Sequence, residues 1–162
     1  MRQLSLTLPT LPENLALDEA LLLEAEDSHG GETLRFWHWP AWAVVLGAGG
    51  VLADDVEVDA CRRDGVPIAR RSTGGGTVLI GPGCLMFALI LRMDNLPELQ
   101  QIGSSYRFIL GRIAEGLCDW RLRSNSPAPV ILLLRAGSFP AIRNSANATS
   151  CFIMERSCTE WI

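Results

Sequence analysis

The chain has 162 residues, which is long enough to bury a hydrophobic core, and 48% apolar with 20% charged residues is a globular composition. A formal net charge of −4 excludes a protein that binds nucleic acid through clustered cations. The sequence has no apolar run of membrane-spanning length and no signal-peptide core at its start, so we expect a cytoplasmic protein that uses neither membrane nor nucleic acid.

Basic and sulfur-containing residues restrict the chemistry further. All 14 basic side chains are arginine, which is common where coding DNA is GC-rich, and the absence of lysine excludes any mechanism that needs a lysine ammonium group. The five cysteines contain no CxxC pair, and His29 and His38 have no partnering cysteine or carboxylate pattern. We therefore predict reduced, mostly buried thiols and no metal site.

The first third of the chain predicts a helix, two strands and a second helix. Residues 14–26 predict a helix that stops at His29 to Gly31. Its wide apolar face is predicted on small and aliphatic side chains: Ala16, Leu17, Ala20, Leu21 and Leu23. Residues 33–39 and 42–47 predict strands, the second buried on both faces, and residues 54–64 predict a helix ending at Gly65.

The middle of the chain predicts a hairpin followed by a helix. Residues 66–70 predict a short strand, and residues 77–80 and 85–92 predict two more, joined by a Gly-Pro-Gly turn. Residues 97–117 predict a helix with aliphatic and aromatic side chains on its inner face: Leu99, Ile102, Tyr106, Ile109, Ile113 and Leu117. This order indicates a mixed-sheet α/β sandwich. It argues against a Rossmann fold, because the glycine triplet precedes a strand instead of opening a helix.

Beyond about residue 120 the sequence changes character. Residues 121–162 have no sustained hydrophobic period, many Ser, Pro and Asn, and one predicted strand at residues 130–134. On composition we expect this tail to be poorly folded. We therefore divide the chain into residues 1–120, which form the folded part, and a tail of residues 121–162.

The segment from Arg70 to Thr77, RRSTGGGT, is the strongest candidate for a functional site. Its three glycines let the backbone approach a ligand closely and direct N–H groups at an anion. Its two arginines can bind a carboxylate or phosphate in bidentate fashion. These residues predict a pocket for an acid that carries or becomes a phosphate, but they fit a surface hairpin with two solvated arginines equally well.

Three motifs in order resemble the lipoate–protein ligase A family, the biotin/lipoate protein ligase catalytic domain. They are NLALDEALL, then LRFWHWP with VVLG after it, and then DGVPIARRSTGGGTV, and they cover roughly residues 14–117. The resemblance implies an α/β sandwich related to class II aminoacyl-tRNA synthetases, with its rear part missing here. It also implies ATP, Mg²⁺ and lipoate as substrates, with lipoyl-AMP formed first. Acceptors would be lipoyl domains of 2-oxoacid dehydrogenase complexes or the glycine-cleavage carrier protein.

The resemblance also implies which residues bind the nucleotide. Carried over by position, the ATP and lipoyl-adenylate site consists of loop and strand residues: Arg70, Arg71, Gly74, Gly75, Gly76, Thr77, Val78 and Leu79. Trp37, Val45 and Val78 are candidates for lining the acyl slot, although we prefer a plain core role for each. Ile80 and Gly81 stand where many family members carry His-Asp.

Cys84 raises an alternative enzyme class. It replaces an asparagine of the family, and the sequence GPGC resembles octanoyltransferases, which share the fold and use a cysteine thioester without ATP. A nucleophilic thiol needs a nearby base or cation, and nothing flanking Cys84 offers one, so a buried core thiol is the preferred interpretation. A non-catalytic fragment that binds a lipoyl group is the third possibility.

The family's catalytic lysine has no counterpart in this chain. The resemblance implies a GxSDLA segment, a lysine in RKxSGN and then LLHHGTLL, and none follows residue 117. The tail codons permit all three motifs in the same order when they are read one base out of frame, and Met154 followed by Glu155 forces the glycine of HHG. We therefore predict a frame disruption near residues 117–127 and a chain with little or no ligase activity.

Overall fold

A computed structural model describes residues 1–27, 31–92, 97–124, 130–132 and 148–157. The strands within these ranges are β1 (Arg2–Ser5), β2 (Thr33–His38), β3 (Ala43–Leu46), β4 (Ile68–Arg70), β5 (Val78–Ile80), β6 (Leu85–Arg92), β7 (Val130–Leu132) and β8 (Ala148–Ser157). The helices are α1 (Leu11–Glu26), α2 (Leu52–Asp55), α3 (Val58–Arg63) and α4 (Ile102–Ser124), and a 3₁₀ helix (Pro97–Gln100) precedes α4.

The strands form two sheets, which confirms the predicted mixed-sheet α/β architecture. The larger sheet has the order β1-β2-β6-β8-β7, with β1 parallel to β2 and the other pairs antiparallel. The smaller sheet has the order β4-β3-β5, with β3 parallel to β4 and antiparallel to β5. Helix α1 packs against both, because Leu11 joins the core of Val45 and Ile80 while Leu21 joins that of Ile90.

Helix α1 begins at Leu11, three residues before the predicted start. Thr10 is its N-cap, and its hydroxyl accepts a hydrogen bond from the Glu13 N–H while the Glu13 carboxylate accepts from the Thr10 N–H. This reciprocal capping box satisfies two backbone donors that the helix itself leaves unpaired. The predicted stop falls on residues 28–30, which lie outside the described residues, and the last helical residue is Glu26.

The predicted inner face of α1 is wrong in its composition. The structure buries Leu11, Asn14, Asp18, Leu21 and Leu22, whereas Ala16, Ala20 and Leu23 are exposed. Hydrophobicity alone placed the alanines inward, but two polar side chains point into the protein instead. The cause lies 17 residues away from Asp18, where Arg35 on β2 supplies a buried partner.

The predicted hairpin of β5 and β6 is also wrong. Both strands exist within a residue of the predicted bounds, but β5 pairs with β3 and β6 pairs with β2 and β8. The segment from Gly81 to Cys84 therefore carries the chain from one sheet to the other. Glycine is required at position 81 because a Cβ there would overlap Cε3 of the Trp42 ring and would lie 2.9 Å from Cδ2 and Cζ3 of the same ring.

The predicted second helix forms as two short helices. Val56, between α2 and α3, is extended with φ −142° and ψ 128°, a conformation that suits a β-branched side chain. The predicted stop at Gly65 is confirmed, since Gly65 adopts φ 68° and its N–H donates to the Arg62 carbonyl.

The C-terminal part departs from prediction in two places. Residues 97–117 divide into the 3₁₀ helix and the longer α4, with Leu99 and Ile109 buried as predicted, while the side chains of Ile102, Tyr106 and Leu117 lie outside the described part. Strand β7 falls within the predicted 130–134, but β8 was not predicted. Its backbone pairs with the whole of β6, so the expectation of a poorly folded tail is wrong for this segment.

Candidate functional site

The RRSTGGGT segment lies where the strands of the smaller sheet end. Strands β3 and β4 run parallel, and their C-terminal ends lie beside the beginning of antiparallel β5. Two loops therefore meet: residues 47–50 after β3, here called the β3 loop, and residues 74–77 before β5, here called the glycine loop. A hydrogen bond from the Ala48 N–H to the Thr73 carbonyl, at 2.9 Å, joins the two segments.

Arg70, the last residue of β4, binds the β3 loop. Its Nη1 donates to three carbonyl oxygens of that loop, those of Gly47 at 2.9 Å, Ala48 at 3.2 Å and Gly50 at 2.8 Å. Its side chain is exposed, and its Nε and Nη2 have no acceptor among the described residues. The Nη1 group of Arg70 therefore holds the β3 loop, while its Nε and Nη2 groups could bind an anion.

Arg71 binds the glycine loop instead of facing solvent. Its Nη2 donates to the Gly74 carbonyl at 2.8 Å and to the Gly76 carbonyl at 2.9 Å, and its Nη1 donates to the Val45 carbonyl at 3.4 Å. Only 8% of Arg71 is exposed. The interpretation of the arginines as solvated surface residues is thus wrong for Arg71, whereas Arg70 is exposed to solvent and also binds the β3 loop.

The glycine loop presents its backbone donors. With two of its carbonyls bound by Arg71, the N–H groups of Gly74, Gly75, Gly76 and Thr77 have no acceptor within the described part of the chain. Gly75 has φ 100°, a conformation that a side chain would strain. Successive free N–H groups on a glycine turn form an anion-binding concavity, which is the chemistry that the sequence predicts here.

The remaining predicted residues divide between core and surface. The Thr77 hydroxyl donates to the Asp55 carboxylate at 3.0 Å, which ties the glycine loop to α2. Val78 is half-buried against the core, and Leu79 is 46% exposed on the edge strand. All eight predicted site residues therefore lie in β4, the glycine loop and β5 or between them, but the Val78 side chain packs against the core.

The sequence did not predict a cavity of about 270 Å³ between α1 and β4. Its lining is mostly apolar, and Glu19, Arg70 and Ser72 contribute the polar or charged side chains. The lining residues are Pro12, Leu15, Ala16, Glu19, Ile68, Ala69, Arg70 and Ser72. Leu15 and Ala16 belong to the NLAL motif and Arg70 to the RRSTGGG motif, so the two motifs meet at this cavity. The sequence shows both motifs but not their proximity, which arises only when α1 packs beside β4.

Trp37 and Val45, the acyl-slot candidates, lie elsewhere. Both are buried in the core that contains Leu11, Ile80 and Met86. Trp37 is 2% exposed, and its Nε1 donates to the Asp18 carboxylate at 3.1 Å. Their preferred role as core residues matches this placement.

A buried polar cluster joins α1 to β2 beneath the site. Arg35 Nη1 donates to Asp18 Oδ1 at 2.6 Å, and Arg35 Nη2 donates to Asn14 Oδ1 at 2.7 Å and to the Leu6 carbonyl at 2.8 Å. Burial raises the pKa of Asp18 above its ordinary value of 3.8, while the hydrogen bond and charge of Arg35 and the hydrogen bond of Trp37 oppose part of that rise. No pattern in the sequence predicted this cluster.

Cys84 is placed as a core residue. It is 4% exposed, and it packs with the same core residues that surround Trp37. Within the described ranges no group of three or more His, Cys, Asp or Glu side chains is arranged to hold a metal ion. No helix in those ranges is both long and apolar enough to cross a bilayer.

Comparison with known proteins identifies the family. The family model of the lipoyl protein ligase A/B catalytic domain matches residues 10–126. The octanoyltransferase LipM of Clostridioides difficile is 34% identical over 104 residues, which cover 64% of this chain and 38% of that protein. A proposed lipoate-protein ligase A of Aeropyrum pernix is 38% identical over 137 residues, covering 82% of this chain and 49% of that protein. The chain thus spans less than half the length of these relatives.

Solved structures agree on the fold. A lipoate-protein ligase A bound with ATP superimposes with a TM-score of 0.71 at 22% identity, covering 98% of this chain and 67% of that one. A lipoate protein ligase of T. acidophilum with bound lipoic acid gives 0.70 at 22%, covering 98% and 68%. A bi-partite ligase of Thermoplasma acidophilum, described with its E2 lipoyl domain, gives 0.69 at 23%, covering 98% and 62%.

The family match extends over more than half of the chain, and the sandwich fold agrees with it. This chain belongs to the lipoyl protein ligase A/B catalytic domain family. It has the mixed α/β catalytic fold of lipoate ligases.

Proposed function

We propose that this chain carries the acyl-adenylate-binding half of an ATP-dependent lipoate–protein ligase. The observation that carries the proposal is the pair of arginines that hold the two loops by their carbonyls and leave four adjacent N–H groups of the glycine loop available. Such a loop stabilises the negative charge of a phosphate or of an acyl adenylate. The parent enzyme is a cytoplasmic protein that acts on lipoyl domains of 2-oxoacid dehydrogenase complexes or on the glycine-cleavage carrier protein.

The cavity between α1 and β4 is the proposed acyl slot. Its apolar lining suits the hydrocarbon tail and dithiolane of lipoate, and Arg70 borders both this cavity and the β3 loop. The free Nε and Nη2 of Arg70 and the hydroxyl of Ser72 supply donors for the carboxylate end. The carboxylate is then held near the glycine loop, so the reaction gains chiefly from positioning.

Magnesium has no dedicated cage in the described residues, which fits an ion that arrives with its nucleotide. Mg²⁺ keeps most of its waters and binds through substrate phosphates with one or two carboxylates. Asp54 and Asp55 on α2 are the exposed carboxylates beside the glycine loop, since Asp55 accepts from Thr77. They are the residues that fit such a role.

Ligation by this chain is proposed to be weak or absent. In the family a lysine binds the α-phosphate and the acyl carbonyl oxygen, where charge develops during transfer, and this sequence contains no lysine. The arginines near the site do not replace the compact ammonium group of a lysine. Arg71 is committed to carbonyls and Arg35 to a buried carboxylate, and Arg70 is a planar guanidinium held at the β3 loop by its Nη1. Binding of the adenylate therefore survives while turnover does not.

A change of reading frame is the proposed origin of the missing lysine. Read one base out of frame, the possible codons of the tail permit GxSDLA, RKxSGN and LLHHGTLL in family order, and the last of these would fall on residues 150–158, which overlap β8. Two observations weigh against this proposal: β8 completes the larger sheet, and the Aeropyrum pernix match covers too much of the chain to end at residue 120. Sequencing the coding DNA from codon 110 past the stop decides between them. A one-base correction that opens all three motifs supports the proposal, and an uninterrupted frame overturns it.

Assays with the purified chain test the activity. We expect no ATP-dependent attachment of lipoate to an isolated lipoyl domain, measured by intact mass, and clear binding of the non-hydrolysable lipoyl sulfamoyl adenosine, measured by calorimetry. Modification of the lipoyl domain at a family-like rate would overturn the proposed inactivity. Failure of the folded chain to bind the analogue would overturn the proposed site.

Octanoyl transfer through a cysteine thioester is the second candidate, favoured by the LipM relatives. Its weakness is the placement of Cys84 in the core. Incubation with an octanoylated carrier domain distinguishes the two functions, because a transferase gains the mass of an octanoyl group on one cysteine without ATP. Observation of such an adduct would show that the chain is a transferase and would overturn the ligase proposal.

A further inference from the structure

Gly47 and the glycine loop approach each other more closely than any side chain allows. Gly47 is buried, and a Cβ added to it would overlap the carbonyl oxygen of Gly75. The same Cβ would lie 2.9 Å from the Gly75 carbonyl carbon and 3.3 Å from Arg71 Nη2. Since backbone atoms cannot move aside as a flexible side chain can, only glycine fits at position 47 without displacing the glycine loop.

Arg71 hydrogen-bonds both to the end of β3 and to the glycine loop at this contact. Its backbone N–H donates to the Leu46 carbonyl at 2.9 Å, directly before Gly47, and its Nη2 donates to the carbonyls on either side of Gly75. The buried guanidinium therefore holds the Gly75 peptide against Gly47 from one side. Arg70 holds the Gly47 carbonyl from the other side at 2.9 Å.

The bound carbonyls fix which backbone groups remain available. Each carbonyl oxygen that an arginine binds is removed from the loop's outer surface, and repulsion between carbonyl dipoles and an incoming anion is reduced accordingly. The N–H groups of residues 74–77 are left as the loop's unsatisfied donors within the described chain. Binding of an anion by these groups thus depends on an arrangement that is set by the contact of Gly47 with Gly75 and by the hydrogen bonds of Arg71.

We propose that Gly47 is a positioning residue of the adenylate site, which acts with the Arg71 guanidinium to hold the glycine loop in its anion-binding conformation. This inference rests on the proposed function for the identity of the ligand. The geometry itself concerns the protein alone, so it can be tested with and without ligand.

The matched variants are Gly47→Ala and Gly49→Ala. Gly49 lies two residues away, is exposed, has no neighbouring atom within 4 Å of an added Cβ and does not adopt a positive φ. Hydrogen exchange of the ligand-free chain is measured at the Ala48 and Arg71 amides, whose N–H groups donate to the Thr73 and Leu46 carbonyls, each at 2.9 Å, and so report whether the two segments stay together. We expect at least tenfold faster exchange in Gly47→Ala than in wild type, and an unchanged rate in Gly49→Ala. Equal rates in all three proteins would overturn the inference.

Calorimetry supplies the readout that a merely structural role would not produce. Lipoyl sulfamoyl adenosine is expected to bind Gly47→Ala at least tenfold more weakly than wild type, while lipoate alone, which uses the cavity between α1 and β4, binds within twofold of wild type. Arg71→Lys is expected to weaken the analogue similarly, because an ammonium cannot bridge the same carbonyls in a planar fork. Equal losses for both ligands would indicate general unfolding and overturn a positioning role.

The two proposals fail in different ways. If wild type binds no analogue but Gly47→Ala alone accelerates exchange of the Ala48 and Arg71 amides, the proposed function is wrong and the loop arrangement stands. If wild type binds the analogue and Gly47→Ala binds it equally well, the positioning role is wrong and the proposed function stands.

Discussion

Arg35 on β2 and Asp18 on α1 form an ion pair of 2.6 Å from which solvent is almost completely excluded. The Asp18 carboxylate also accepts from the Trp37 indole, so one carboxylate connects the first helix to two residues of the neighbouring strand. Asn14, one helical turn earlier, completes the cluster. This buried network sets the orientation of α1, whose outer residues line the candidate acyl slot.

Removing one partner of this pair is expected to destabilise the fold. Asp18→Ala leaves the Arg35 charge buried and uncompensated, which costs roughly 3–5 kcal/mol of unfolding free energy. Glu24→Ala breaks the exposed pair with Arg2 and is the matched control, with an expected loss below about 1 kcal/mol. Urea denaturation of both variants measures the difference. Equal losses would mean that the buried pair contributes no more than a surface pair.

The pKa of Asp18 predicts a pH dependence of stability. Because burial raises this pKa, the folded chain keeps the Asp18 proton at pH values where the unfolded chain, with an ordinary pKa of 3.8, has already lost it. Raising the pH through that window favours the unfolded state. We expect the unfolding free energy of wild type minus that of Asp18→Asn to fall as the pH rises above 3.8. A difference that increases with pH would show that Arg35 outweighs burial and lowers the pKa.

Filling the cavity between α1 and β4 is expected to block the acyl group. Ala16 lines the cavity, whereas Ala20, one turn further along the same helix, does not, and both side chains are exposed. Ala16→Phe should weaken lipoate binding at least tenfold by calorimetry, and Ala20→Phe should leave it within about twofold. Unaltered binding in Ala16→Phe would place the acyl slot elsewhere.

Cysteine reactivity tests the transferase alternative. Cys84 is buried and Cys61 is partly exposed, so iodoacetamide is expected to label Cys61 at least tenfold faster in the native chain. Peptide mass spectrometry after timed quenching measures both rates in one sample. Preferential labelling of Cys84 would indicate an accessible, activated thiol and would support thioester chemistry.

Local patterns were sufficient to predict most of the strands. Strand β6 has the predicted bounds of residues 85–92 because its apolar residues run without interruption, and every residue of β3 is buried as its composition indicates. Pairing between distant strands was not predictable in the same way. The Gly81 turn resembles a hairpin turn, but β5 pairs with β3 and β6 with β2, partners that are distant in the sequence and that the turn residues do not determine.

The glycine turn of the RRSTGGGT segment was predictable from the sequence, whereas the contacts of its arginines were not. The glycines and arginines of the RRSTGGGT segment do form one loop region, and Gly75 has the positive φ that its residue type suggests. That Arg71 turns inward depends on carbonyls of Gly74 and Gly76 and on the backbone of Val45, contacts that no spacing encodes. Likewise, Asp18 is buried only because Arg35 meets it across the interface between α1 and β2.

Calorimetric titration of the folded wild-type chain with lipoyl sulfamoyl adenosine tests the central claim most directly. Our account predicts saturable binding of one analogue per chain, with circular dichroism showing a folded protein and with ATP and lipoate together producing no modified lipoyl domain. A folded chain that binds no analogue would contradict the assignment of the glycine loop as an adenylate site.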